Sequence, residues 1–209
     1  MKDSILQALN WRYAVQVFDK NKHITDEELH TILESGRLAP SSIGLEAWKF
    51  IVVENPEIRL SLQKIGYGQL KIVDASKLIV IAYRTDAQKV GEERLERVAK
   101  VQNQKIEELG MLKQMITGGV SRPQPQLDAW IKAQSYIPLG MMIETAALLG
   151  VDGGPMEGFD AEKVDEILNL KQQNLHATSM LALGHRGDDP TALRPKVRQS
   201  FEEVVEFIR

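Results

Sequence analysis

The 209 residues fit one ordinary domain, and 26% charged with 43% hydrophobic residues is a globular balance. A formal net charge of −3 argues against broad affinity for nucleic acid. With no cysteine at all, disulfides, thiolate metal sites, iron–sulfur clusters and a cysteine nucleophile are excluded.

Met1-Lys2-Asp3-Ser4 opens an amphipathic pattern at once, without the apolar core of a secretory signal. No apolar run approaches the ~18 residues that span a bilayer, so the expectation is a cytoplasmic protein without a membrane partner. Asp3-Ser4 can cap a helix with Ile5, Leu6 and Leu9 on one face. Arg12 to Phe18 alternates like a short strand. Thr25 and Glu28 have capping-box spacing and open a helix with Leu29, Ile32 and Leu33 facing the core, which Pro40 should end near Ala39. Trp48–Val53 reads as a buried strand, Asn55-Pro56 as a helix cap with proline at the first position, and Leu78–Tyr83 as a central strand.

From Asp86 to about Thr117 the chain is charged and helical, with Gly118-Gly119 as a break. Val90, Val98, Val101, Ile106 and Leu109 form a thin apolar stripe, so residues 86–127 are expected at the periphery, as a lid or a solvated surface segment. Asp128–Leu149 reads as one long core or interface helix kinked at Pro138 and stopped by Gly150. Val151–Phe159 reads as glycine-rich and irregular, Asp160–Leu170 as a short helix, Ser179–Leu183 as a strand. The apolar end Val204-Val205-Glu206-Phe207-Ile208 suggests docking, on a second subunit among other surfaces. No repeat or linker divides the chain, so residues 1–209 are expected to form one domain.

GxGxxG, Walker, GxSxG and HExxH patterns are absent. His23, His30, His176 and His185 are scattered, which favours structural or surface roles over metal ligation. Glu46 and Glu157 are the only carboxylates in unusual contexts, and nothing in the sequence makes them an acid/base pair.

Three segments suggest a phosphorylated planar ligand. Arg12 at a helix corner and Arg194-Pro195-Lys196-Val197-Arg198 could bring several cations to one phosphate dianion, with bidentate contacts from arginine. Charge alone favours a solvated basic turn for the second of these. The third, Pro40-Ser41-Ser42-Ile43-Gly44-Leu45-Glu46-Ala47-Trp48-Lys49-Phe50 with Gly153-Gly154-Pro155-Met156-Glu157-Gly158-Phe159, offers hydroxyls and glycines that let backbone approach a ligand, and it equally suits ordinary turns.

Taken in order, these segments resemble the nitroreductase family over essentially the whole chain. Arg12 to Phe18 is similar to its R-x-[ST]-x-[KR]-x-[FY] opening. Ala39-Pro40-Ser41 and Trp48-Lys49-Phe50, with six residues between Ser41 and Trp48, are similar to its A-P-S and W-x-F segment. Gln69–Ser76 is similar to a Q-x-x-x-x-x-A-S stretch, and Gln134–Gly140 to its central helix. Pro155–Phe159 matches P-x-x-G-[FY], Leu183-Gly184 the closing [LV]-G, and Arg194–Arg198 the R-x-K-x-R element.

The resemblance implies an α+β fold, with a small mixed sheet surrounded by helices in an intertwined homodimer. It also implies FMN bound at the subunit interface, with NADH or NADPH as electron donor. Arg12, Lys196 and Arg198 would hold the phosphate beside Tyr13 and Ala14. Ser41 and Ser42 would come from the partner subunit, Gly44 would also bind the cofactor, and Gln16, Gln69 and Lys71 would face the pyrimidine end. Pro155, Met156, Glu157 and Gly158 would pass beside flavin N5, with the Glu157 amide nearest. No side chain is then needed as catalyst, because the cofactor carries hydride from NAD(P)H to a nitroaromatic, quinone or azo acceptor by ping-pong turnover at one open face. Free flavin, an enone or a pteridine is an alternative acceptor, and a non-catalytic FMN sensor or store is an alternative role. Ala14 replaces the family's serine or threonine, Gln16 its lysine, and Gly68 and Gly44 the asparagine of some branches. The missing cation at position 16 is expected to lower the flavin potential modestly, with Lys71 partly compensating.

Overall fold

A computed structural model describes residues 2–209. At its centre four strands run in the order β1-β2-β4-β3, comprising β1 (Trp48–Val52), β2 (Lys77–Arg84), β3 (Asp152–Met156) and β4 (Leu175–Gly184). Every pairing among the described strands is antiparallel, where a mixed sheet was expected. The apolar run at Leu78 forms the middle of β2, and Leu78 to Ala82 are fully buried because helices cover both faces.

On one face Ile79, Ile81, Leu181 and Leu183 meet Ile32 of α2 (Asp26–Arg37) and Met142 and Ala146 of α8 (Tyr136–Leu148). On the other, Leu78, Val80, Ala82, Met180 and Ala182 meet Leu62 of α3 (Pro56–Ile65) and Val164 of α9 (Ala161–Ile167). The helix starts follow local chemistry. Thr25 and Glu28 close the capping box of α2, and the Asn55 side chain accepts from the Glu57 and Ile58 amides in front of Pro56. Gly150, at φ +74, carries the chain out of α8 as expected.

Five local expectations need correction. Helix α1 spans Lys2–Trp11, so Asp3 and Ser4 lie inside its first turn rather than before it, and Leu6 and Leu9 remain exposed. Residues 12–18 form no strand beyond a single bridge from Phe18 to Arg186. Val151–Phe159 is not wholly irregular, because Asp152–Met156 is edge strand β3, where a proline and two glycines are tolerated. The long helix is two, α7 (Gln124–Gln134) and α8, parted at Ser135. Pro138 therefore lies in the first turn of α8, where its missing N–H costs no helical bond. Finally, Gly118 and Gly119 do not break the chain but lie within α6 (Gly110–Val120).

With α5 (Ala87–Gln102), α6 and α7 build a second cluster around Val90, Leu95, Val98, Leu109, Ile116 and Leu127, which also takes in Leu45, Ala47 and Tyr83. Val101 and Ile106, expected in the apolar stripe, point outward. The short helices α4 (Lys71–Asp74) and α10 (Phe201–Val204) complete the order. Among the described residues no helix is long and apolar enough to cross a membrane.

One buried group is left unsatisfied in the middle of β4. Ser179 is 1% exposed and its Oγ has no hydrogen-bond partner. An unmet buried hydroxyl costs about 1–3 kcal/mol, so Ser179→Ala should hold or raise the thermal midpoint. Truncation of its neighbour by Met180→Ala, by contrast, should cost about 2–5 kcal/mol. Thermal and urea unfolding of the two variants measure both effects, and a Ser179→Ala protein less stable than the parent would show a partner for that hydroxyl.

Candidate functional site

Four cations and no carboxylate line a cleft of about 410 Å³ at the end of α1. Its walls are residues 10–14 on one side and Thr191 to Arg198 on the other, with Arg12, Arg194, Lys196 and Arg198 as the cations. The Lys196 ammonium donates to the Leu9 and Arg12 carbonyls, so it sits where the negative end of the α1 dipole lies. Burial lowers the Arg12 pKa and repulsion from Arg198 lowers it further. Lys196 is lowered in the same way, by burial and then by Arg12 and Arg198. Buried Arg12 Nε has no hydrogen-bond partner. An anion with several acceptor oxygens would relieve the repulsion and satisfy that donor together.

Two acids outside the cleft hold its walls. Asp189 Oδ2 accepts from the Gln16 amide at 2.8 Å, the Val17 amide at 3.2 Å and Tyr13 Oη at 3.2 Å, while Oδ1 accepts from the Thr191 amide at 2.9 Å. These amides therefore point at a side chain instead of a partner strand, which is why residues 12–18 are not a strand. Asp152, 4% exposed, receives a two-pronged contact from Arg186, whose guanidinium lies 4.2 Å from the Trp11 ring and 4.7 Å from the Tyr13 ring. Burial, then Asp189, pushes the Tyr13 phenol up to about 12, so it stays a neutral donor.

The rest of the predicted set does not line the cleft but packs beside the chain that leaves it. The Val15 amide donates to Gly153 O at 3.3 Å, and a Cβ on Gly154 would come within 2.7 Å of Val15 O and 3.4 Å of Lys71 Cδ, so only glycine fits there. Lys71 is 4% exposed and its side chain makes no ion pair or hydrogen bond among the described residues; desolvation lowers its pKa against a smaller pull from Asp189. Gln69 Nε2 donates to Gly158 O at 2.7 Å, tying that stretch to the end of β3. The Gln16 side chain turns back onto Ala14 O at 2.7 Å. Pro155 and Met156 are strand residues, and Glu157 and Gly158 lie exposed just beyond.

Ser41, Ser42 and Gly44 are not brought to the cleft. Ser41 Oγ accepts from the Glu46 amide, the Ser42 amide donates to Gln134, and Gly44 lies against Arg94. Ile43, Gly44 and Glu46 are all left-handed, at φ +54, +62 and +54. A loop of this strain needs firm surroundings to persist.

Sequence reasoning missed Arg186, Asp152 and Asp189. Asp189-Pro190 carries a readable signal, an N-cap acid before a first-turn proline, whereas the contacts of Arg186 span up to 175 residues and leave no local trace. His176 is less isolated than its sequence context suggested. It faces Asp165 at 2.6 Å, with Glu162 nearby. Asp165 is satisfied by His176 and the Ala177 amide, and Glu162 pairs with Lys171, so the group is internally matched.

This α+β architecture is that of an oxidoreductase family. The model of the nitroreductase family matches residues 9–185, and the chain belongs to that family. YfkO of Bacillus subtilis, named as a candidate NAD(P)H nitroreductase, is 36% identical and aligns across 100% of this chain and 99% of its own. Among solved structures, ydfN of Bacillus subtilis superposes at a TM-score of 0.87 with 24% identity over 100% of both chains. An Exiguobacterium sibiricum nitroreductase-type protein in complex with FMN superposes at 0.83 with 20% identity, over 98% of this chain and 97% of its own.

The Asp189 contacts carry a pH signature. Burial alone would raise its pKa, but hydrogen bonds from Thr191, Gln16 and Val17 outweigh it and hold the carboxyl at about 2, below the usual 3.8. A depressed acid stabilises the fold above its unfolded pKa, and that stabilisation fades as pH drops from 3.8 to about 2. Asp189→Asn should therefore lower the thermal midpoint at neutral pH, and its gap from the parent should close across that acid window. A gap independent of pH would contradict the assignment.

Proposed function

We propose that this protein is an FMN-dependent NAD(P)H oxidoreductase that reduces nitroaromatic, quinone or azo acceptors, with the 209 residues acting as one flavin-binding domain. The observation that carries the proposal is the cleft where Arg12, Lys196 and Arg198 converge without a counter-charge, with Arg12 Nε unpartnered. A phosphate monoester dianion suits that donor set, and the fold match to a chain in complex with FMN supports the choice of flavin.

Arg12, Lys196 and Arg198 would hold the phosphate, with Tyr13 and Ala14 forming the adjoining wall. Lys71, buried and unpaired, would supply positive charge toward the ring, and Gln16 and Gln69 amide groups beside it. Residues Pro155 to Gly158 would present backbone to the ring edge. Bound FMN supplies two-electron chemistry, accepting hydride from NAD(P)H and returning it to the acceptor. The chain's own part is to bind, to orient, and to set the charge around the ring.

The protein acts as a homodimer in this account. Ser41, Ser42 and Gly44 lie away from the cleft of their own chain, as they would if they served the partner's flavin. Phe201, Val204, Phe207 and Ile208 are all strongly exposed near the C-terminus, an apolar surface that a second copy would cover.

One experiment with two arms tests this. The parent should purify yellow or turn yellow with FMN and bleach with NADH, whereas the Arg12→Ala/Arg198→Ala double variant should keep its circular dichroism and lose the flavin. Serial dilution with size measurement should release FMN as dimers dissociate. A double variant with a full flavin complement would sink the phosphate assignment, and monomers that keep FMN would sink the shared site.

A further inference from the structure

The break between α7 and α8 places three consecutive side chains, Gln134, Ser135 and Tyr136, against three distant parts of the chain. Gln134 Oε1 accepts from the Ser42 amide at 2.8 Å. Tyr136 Oη donates to Glu157 Oε1. Ser135 is 1% exposed; its Oγ lies 2.7 Å from Lys132 O and 3.1 Å from Thr178 Oγ1, which in turn donates to Ile81 O at 2.9 Å. That last contact falls at the register shift between Ile81 and Ala82 in the central pair of strands.

The geometry follows from elementary helix rules. Ser135 itself has near-helical dihedrals, φ −69 and ψ −15. Successive side chains on such a backbone diverge by about 100° per residue. Three in a row can therefore reach three directions, to the 41–46 loop, to the sheet, and to the segment leaving β3.

Both loops have reason to need such support. The first holds three left-handed residues at 43, 44 and 46. The second ends β3 at Met156 and turns outward at Glu157 and Gly158, where the Gln69 side chain also holds it, at Gly158 O. Burial, then the hydrogen bond to Glu157 and the Glu157 charge, raises the pKa of the Tyr136 phenol, so it remains a donor at physiological pH.

We propose that Gln134-Ser135-Tyr136 is a positioning element that locks the 41–46 and 155–158 loops to the central sheet, and so fixes the backbone that faces the flavin. The second clause rests on the function proposed above; the first does not. Because Ser42 would serve the partner's site and Glu157 its own, one junction would then support a wall of each site in the dimer.

Amide hydrogen exchange on the full-length protein, with and without added FMN, tests the lock. Tyr136→Phe should speed exchange at Met156 and Phe159 about five- to tenfold and leave residues 41–46 unchanged. Gln134→Leu should do the reverse, while Gln134→Glu, which keeps an acceptor for the Ser42 amide, should preserve the parent pattern. Ser135→Ala should loosen both loops together. The FMN dissociation constant should rise in the three loosening variants, and that for riboflavin by the same factor, because the cationic cleft is untouched. Exchange unchanged in both Tyr136→Phe and Gln134→Leu overturns the lock, as does faster exchange spread over the whole protein. Faster exchange confined to the loops with unaltered FMN affinity supports the lock and overturns the flavin-facing role of the loops.

Discussion

Arg12, Lys196 and Arg198 repel one another at the end of α1, and the chain holds them together with contacts placed just outside their cleft. Lys196 is drawn onto the carbonyls of Leu9 and Arg12, at the negative end of a helix dipole. Asp189 gathers the amides that follow Arg12 and so fixes how the chain leaves that helix. Asp152 neutralises Arg186, whose guanidinium then serves as a flat support for Trp11 and Tyr13. Neither acid lines the cleft. The result is positive charge whose compensation has been kept at one remove, as an anion-binding site requires.

The same principle of support from behind recurs around the rest of the site. Gly154 is glycine because Val15 O and the Lys71 stem leave no room for a Cβ. Arg59, itself buried, donates to the carbonyls of Ile72 and Ala75 and so holds the short helix on which Lys71 sits. Residues that would meet a ligand are mostly in loops, and several are held by side chains from distant parts of the chain.

Much of this fold can be read locally. The Thr25–Glu28 capping box, the Asn55-Pro56 start and the apolar run at Leu78 each carry their own explanation in a few residues, and each forms the element expected of it. What could not be read depends on distant partners. Residues 12–18 alternate in sequence, but the buried pair Val15 and Phe18 lies three residues apart, and the Gln16 and Val17 amides are taken by Asp189, far along the chain, so alternation does not become a strand. Glycines and a proline concealed β3 because composition cannot say that a segment will be a sheet edge. Pro138 read as a kink because nothing local marks the break at Ser135. The basic pair Lys196 and Arg198 was visible as charge, yet only the fold brings it to Arg12, and Arg186 was invisible as a support because its role exists only through Asp152, Trp11 and Tyr13.

In the proposed function, charge recognises the phosphate end of the cofactor rather than the ring alone. Titration of flavin-free protein with FMN and with riboflavin, which differ only in that phosphate, separates the two. The cleft predicts that riboflavin binds at least about 100-fold more weakly, in keeping with the loss of several charge-assisted hydrogen bonds, and that the difference shrinks as salt is raised. Equal affinity for the two flavins would contradict the central claim.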